Sequence, residues 1–228
     1  MKILSNTLLL ILLCVLGANA QRLSRVNGGV EIGTGYQDAT WAPSITYYQD
    51  LSLNHFDWIR IGWGLRGSGL FSDQTALFPH SNTTLGDSLQ VRKINSISAS
   101  FFGSLTVSFG RFDLGANTDL INLAFGSLKT STYTKDITFK TEDDLTYKSN
   151  KIRSAPSLLN FLPAALDNQN GNSEIFARYR FTNAIGIKAG YLASRVTYST
   201  EQKLDDGKRR FSKMFGMPFV AITFPISY

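Results

Sequence analysis

Between Ser96 and Phe109 the chain alternates without interruption. Ile97, Ala99, Phe101, Gly103, Leu105, Val107 and Phe109 share one face, and Ser96, Ser98, Ser100, Phe102, Ser104, Thr106 and Ser108 share the other, since successive side chains of a strand point to opposite sides. Phe102 is the single large exception. A strand lying between core and water carries Lys, Glu or Asp on its wet side, whereas here that side is small, neutral and hydroxylated. Such a pattern suits the crowded interior of a narrow barrel whose outside is apolar. It predicts a transmembrane β-barrel.

The same alternation recurs along the chain. In a strand over 26–36, Val30, Ile32, Thr34 and Tyr36 oppose Gly29, Glu31, Gly33 and Gly35. Over 43–49, Ile45 and Tyr47 oppose Ser44, Thr46 and Tyr48. Over 58–66, Ile59, Ile61, Trp63 and Leu65 oppose Trp58, Arg60, Gly62, Gly64 and Arg66. An arginine facing lipid at mid-bilayer costs about 2–4 kcal/mol, so Arg60 and Arg66 mark the lumen side. The fourth strand enters near Leu89 and ends at Gly110-Arg111. The fifth, 112–125, turns Asp113, Gly115, Asn117 and Asp119 inward; beyond Leu120 its parity fails, which predicts a face-swapping bulge. A sixth, 174–182, points Arg178 and Arg180 inward, and a seventh, 185–199, does the same with Lys188 and Gly190. The last strand ends Val220, Ile222, Phe224, Ile226, Tyr228, all on one apolar face.

Connections at 50–57, 110–111 and 183–184 are short. Those at 67–88, 127–173 and 201–210 are long or highly charged, and 37–42 is modest. Short turns at one rim and long loops at the other, with both termini on the short side, require an even strand count. Eight satisfies it. The 127–173 region is expected to be irregular, its patch Leu158-Leu159-Asn160-Phe161-Leu162-Pro163 folding over the barrel mouth.

Ahead of the barrel, Lys2, the apolar run Leu8–Leu16 and Ala18-Asn19-Ala20 predict a signal peptide over 1–20, cleaved before Gln21. The barrel domain is then 21–228. The apolar run is too short for a spanning helix. Cys14, the one cysteine, lies in that run; Ile11-Leu12-Leu13 lacks the small residues a lipidation site needs. The domain is therefore free of disulfides and thiol chemistry. A formal charge of +6, scattered along an exported chain, gives no footprint for nucleic acid.

Taken together, the signal peptide, the eight alternating strands and the terminal Phe224-x-Ile226-x-Tyr228 resemble small outer-membrane β-barrels of the OmpA/OmpX type. In that resemblance the last aromatic, with Phe224 and Ile226, implies the signal read by the barrel-assembly machinery. Three segments further resemble an uncharacterised barrel family of Bacteroidetes: Asn117-Thr118-Asp119-Leu120-Ile121 with Ala124-Phe125-Gly126; Asn172-Ser173-Glu174-Ile175-Phe176-Ala177-Arg178-Tyr179-Arg180; and Ile187-Lys188-Ala189-Gly190-Tyr191. The resemblance implies the outer membrane as location, with its lipid and lipopolysaccharide as surroundings. It transfers no activity.

Candidate chemistry is sparse. Only two histidines exist: His55 falls in a short turn and His80 in a long loop, neither beside a suitable serine for acyl transfer. Zinc has no ligand set. Glu142-Asp143-Asp144 and Asp205-Asp206 lack calcium-loop spacing and read as solvated charge. No cofactor is expected. The informative set is the inward charge: Glu31, Arg60, Arg66, Asp119, Arg178, Arg180 and Lys188. Eight strands leave an interior just wide enough for side chains, and buried charges must be paired. These residues predict a plugged lumen, with five bases against two acids leaving a surplus that loop acids such as Glu174, water or anions must offset. The expected role is non-enzymatic, structural or surface-interacting through external loops. The alternatives are a narrow anion-preferring channel, a lipid A-modifying enzyme, and a soluble lipocalin-like barrel with the apolar faces turned inward.

Overall fold

A computed structural model describes residues 26–53, 56–79, 88–134, 150–204 and 209–227. Their strands, in chain order, are β1 (Val26–Gln37), β2 (Thr40–Leu53), β3 (Phe56–Ser72), β4 (Thr75–Leu77), β5 (Ser88–Val91), β6 (Ile94–Phe109), β7 (Phe112–Phe125), β8 (Lys129–Thr134), β9 (Asn150–Pro156), β10 (Leu159–Phe161), β11 (Gly171–Arg180), β12 (Gly186–Thr200) and β13 (Arg210–Ser227). Eight of them close a ring in the order β1, β2, β3, β6, β7, β11, β12, β13 and back to β1, every neighbour antiparallel. This is an all-β, eight-stranded, up-and-down barrel.

Alternation sets the two walls. Leu105 and Ile222 point out and are 54% and 50% exposed, while Arg66 and Lys188 point in and are each 2% exposed. That arrangement overturns the soluble lipocalin alternative, which needs the aliphatic faces sealed inside. The fifth strand of the ring, β7, carries the expected bulge. Phe101 pairs with Ile121 and Phe102 with Asp119, so Leu120 is the extra residue. Below it Asp113, Asn117 and Asp119 point in; above it Asn122 and Ala124 do. One inserted residue thus keeps the large aliphatic side chains outside on both sides of the bulge.

Several boundaries differ from the sequence expectation. Strand β2 runs on to Leu53, so Asp50 lies in a strand, inward and buried, and not in a turn. The connection from β1 to β2 is just Asp38-Ala39, both with positive φ (46° and 58°), the left-handed pair of a tight hairpin turn. Glu174 is a buried strand residue, not a loop acid.

The largest difference is at the end carrying the long connections. The 67–88 and 127–173 regions are not irregular throughout: β3 continues to Ser72, and β4, β5, β8 and β9 build a second, smaller ring on top of the first. Its order is β12, β9, β8, β5, β4, closed onto β13 by reciprocal hydrogen bonds of Phe78 and Ser212 at 2.9 and 2.7 Å. Leu77, Leu89, Val91, Ile94, Tyr133, Ile152, Val196, Tyr198 and Phe211 fill it, continuous with Leu70, Leu192, Met217 and Phe219 in the barrel below. Inward positions therefore change from charged to apolar on passing up the axis.

The Leu158–Pro163 patch does not fold over the mouth. Strand β10 pairs with the upper part of β7, Leu159 opposite Leu123 and Phe161 opposite Ile121, and all four side chains are exposed on the outer wall. Asn160 points inward and donates to the Ser157 carbonyl at 2.7 Å. Leu162 N–H donates to the Leu120 carbonyl at 2.9 Å, satisfying the bulge. The chain then crosses the outside of β12, held by Arg195 donating to the carbonyls of Pro163 and Leu166 at 3.2 and 2.9 Å. It re-enters at Asn170, whose side chain donates to Ser157 and Thr197 carbonyls.

Candidate functional site

The lower lumen holds all seven inward charges expected from the sequence, and three acids besides. Charges alternate in an unbroken chain. Asp119 Oδ1 accepts from Arg66 Nη1 at 3.0 Å, and Arg66 Nη2 lies 3.1 Å from Glu174 Oε1. Lys188 Nζ bridges Glu174 Oε2 at 2.6 Å and Glu31 Oε2 at 2.9 Å. Glu31 Oε1 accepts from Arg178 Nη2 at 2.7 Å, and Arg178 Nη1 lies 3.8 Å from Asp50 and 3.6 Å from Asp113. At the lower mouth Arg180 Nη2 donates to Asp113 Oδ1 at 3.0 Å, with Arg60 at 3.7 Å.

Neutral groups complete the coordination. Asp119 also accepts from Ser100 Oγ at 2.9 Å and from Asn172 N–H at 2.8 Å. Asn117 Oδ1 accepts a hydrogen bond from Arg66 Nη2 at 2.6 Å, and its Nδ2 donates one to Glu174 Oε2 at 2.9 Å. Ser108 donates to Asp113. Aromatic faces pack against the cations: Phe102 under Arg66, Tyr48 under Arg178, Phe176 under Lys188, the last two at 4.2 and 4.3 Å. Such contacts stabilise a desolvated cation by about 2 kcal/mol. Phe102, the exception in the serine face, is explained by this stacking.

The expected cation surplus is thereby corrected. Arg60, Arg66, Arg178, Arg180 and Lys188 are matched by Glu31, Asp50, Asp113, Asp119 and Glu174, five against five. Asp50 was missed because β2 runs further than the alternation of large residues shows; Glu174, expected to offset the surplus as a loop acid, offsets it from within a strand. Asp113 has inward parity but stands beside a turn. Ion pairs this deep offset their desolvation only when the geometry is good and further hydrogen bonds serve the remaining polar atoms. Alternation gives every charge here an opposite partner, while Asp50 Oδ2, Asp113 Oδ2 and the Nε atoms of Arg60, Arg66 and Arg178 have no hydrogen-bond partner among the described residues. Above it the apolar plug of Leu70, Leu192, Met217 and Phe219 leaves no charged path upward.

Neither histidine, nor the acidic runs 142–144 and 205–206, belongs to the described residues. Among those that do, no cluster of His, Cys, Asp and Glu could hold a metal ion. Phe224 and Ile226 point outward on the closing strand, opposite Val30 and Gly28 of β1; Tyr228 lies outside the described residues.

An apolar outer wall around a lumen that holds every one of these charges is the architecture of a transmembrane β-barrel. No family model and no curated protein matches the sequence. Among solved structures, the chain is similar to a major outer membrane protein of Thermus thermophilus, with 11% identity over 88% of this chain and 99% of that one, at a TM-score of 0.41. It is also similar to Neisserial surface protein A, with 9% identity over 89% and 96% of the two chains and a TM-score of 0.32. A third is Ail, the attachment invasion locus protein of Yersinia pestis, in complex with the heparin analogue sucrose octasulfate, with 10% identity over 89% and 97% and a TM-score of 0.32.

Proposed function

We propose that the protein is a non-enzymatic barrel of the bacterial outer membrane, sealed to solutes, whose working surface is the upper ring held outside the cell. The observation that carries this reading is the double seal: a charge-balanced, hydrogen-bonded network below and an apolar core above. A ring whose interior is dry and whose strands continue those of the barrel is a rigid platform, suited to contact with envelope components or the environment. Export by the 1–20 signal peptide, insertion through the apolar face of Phe224, Ile226 and Tyr228, and affinity with the Bacteroidetes barrels belong to the same proposal. They rest on the sequence motifs.

The channel alternative predicts a different electrical behaviour. In planar bilayers the sealed barrel gives no unitary conductance, and the double variant Arg178→Gln, Arg180→Gln stays equally silent because the apolar plug above is untouched. Stepwise openings in the unmutated protein, shrinking when those arginines are neutralised, would establish an anion path instead.

A further inference from the structure

Three cations at the upper margin of the outer wall have no carboxylate partner among the described residues. Arg92 and Lys93 form the exposed link from β5 to β6. Lys129, at the start of β8, donates Nζ to the Lys93 carbonyl at 2.9 Å, which brings its ammonium to that link. Partial burial and the Lys93 charge both hold the Lys129 ammonium below its usual range. Arg153, one strand over and opposite Thr130, is drawn to Glu201 at 3.8 Å. Among the described residues Arg92, Lys93 and Lys129 have no such acid.

Immediately below, Ile97 of β6 pairs with Phe125 of β7 and both are exposed. The three cations thus stand where hydrocarbon gives way to head groups, the level at which anionic lipids attract Lys and Arg. Lower still the wall is dented. Gly67 pairs with Ala99 and both face outward. Ile45, Tyr47, Leu65, Phe101 and Leu123 stand around them, bordering a shallow hollow of about 500 Å³. A Cβ built on Gly67 would meet only Ile45 Cγ2, at 3.4 Å, so the depression is open. Ala99 lies six positions along the chain from Lys93, roughly 20 Å of strand, a length an acyl chain can follow.

Surface cations alone are ordinary, and so are small residues in a strand wall. Their alignment on one face has the two-part shape of an amphiphile. We propose that this face binds a phosphorylated lipid, the phosphate on Arg92, Lys93 and Lys129 and an acyl chain over Gly67 and Ala99. The inference rests on the membrane-spanning reading and deepens it by naming the lipid. A neutral lipid gains nothing from the cations, and a free phosphate gains nothing from the depression.

Native mass spectrometry of the full chain, refolded in a neutral detergent, separates these cases. The probes are diphosphoryl lipid A, the same lipid stripped of its phosphates, and inorganic pyrophosphate. One diphosphoryl lipid A is retained per barrel, at least about tenfold more than either other probe. Lys93→Gln with Lys129→Gln lowers that retention by about fivefold per charge removed. Ala99→Phe, which fills the depression, lowers it as well and leaves pyrophosphate unaffected. Heat-dependent gel mobility is read in parallel: its absence in the unmutated chain would sink the barrel reading itself, and its presence in each variant isolates the site. Equal retention of the dephosphorylated lipid or of pyrophosphate overturns the proposal, as does a folded lysine variant, or a folded Ala99→Phe variant, that keeps lipid A like the parent.

Discussion

Arg178→Met should destabilise the barrel by roughly 3–5 kcal/mol, the cost of leaving a buried partner charge uncompensated. Arg178 is the cation nearest Asp50 and stands between Glu31 and Asp113. After its removal Glu31 keeps Lys188 and Asp113 keeps Arg180. Asp50 is left with a hydrogen bond from the Ser104 hydroxyl at 3.3 Å and the field of the more distant Arg60. Urea unfolding of the refolded protein in lipid vesicles, followed by tryptophan fluorescence, checks this. Arg180→Met serves as the comparison, because Arg180 sits at the wetter mouth and its pairing is worth about 1 kcal/mol or less. Similar small losses for both variants would mean that water fills the lower lumen, and only the apolar half of the seal would then exist.

The second large effect lies on the other wall. Ile222→Arg should cost about 2–4 kcal/mol, the penalty for arginine on the lipid face near the bilayer midplane. Ile222 pairs with Ile32 on one side and Ile187 on the other, all three exposed outward, so the new charge has no acid within its reach on that face. Ile222→Phe, which keeps the surface apolar, should fold as the parent does. Both are read in the same unfolding assay, and an arginine variant as stable as the phenylalanine one would argue that this wall faces water.

How far the sequence revealed this molecule depended on strand length. Long alternating runs such as 96–109 announced both the barrel and its inside-out parity, and the failure of alternation past Leu120 announced the bulge. The upper ring stayed hidden. Its strands are short: β4 offers Thr75 and Leu77 inward around Ala76, and β8 offers Ser131 and Tyr133. Two inward residues per strand cannot be told from a loop by periodicity. Only the continuation of β12 and β13 upward, with their apolar inner positions Val196, Tyr198 and Phe211, shows that the long connections have a core to cover.

The lumen was half legible for a related reason. Arginines two apart in 174–182 had to share a face, and parity placed them inside. Their acids are dispersed over β1, β2 and β7, and no local spacing joins Glu31 to Lys188 across 157 positions. Pairing in a closed barrel is decided by neighbours around the ring, which a linear pattern does not encode. Asp50 illustrates the error: next to Gln49 and Leu51 it resembles the start of a turn, yet the strand carries it inward against Arg178.

Everything here depends on oil touching one wall and never the other. Spin labels at single cysteines report this directly, using a chain that starts at Gln21 and so lacks Cys14, at positions 105 and 222 outside and 106 and 223 inside. Oxygen, which dissolves in hydrocarbon, should broaden the labels at 105 and 222 while a polar nickel complex should not, and neither should reach 106 or 223. A nickel complex that quenches 105 and 222 as freely as a surface loop would place those aliphatic side chains in water and contradict the membrane barrel.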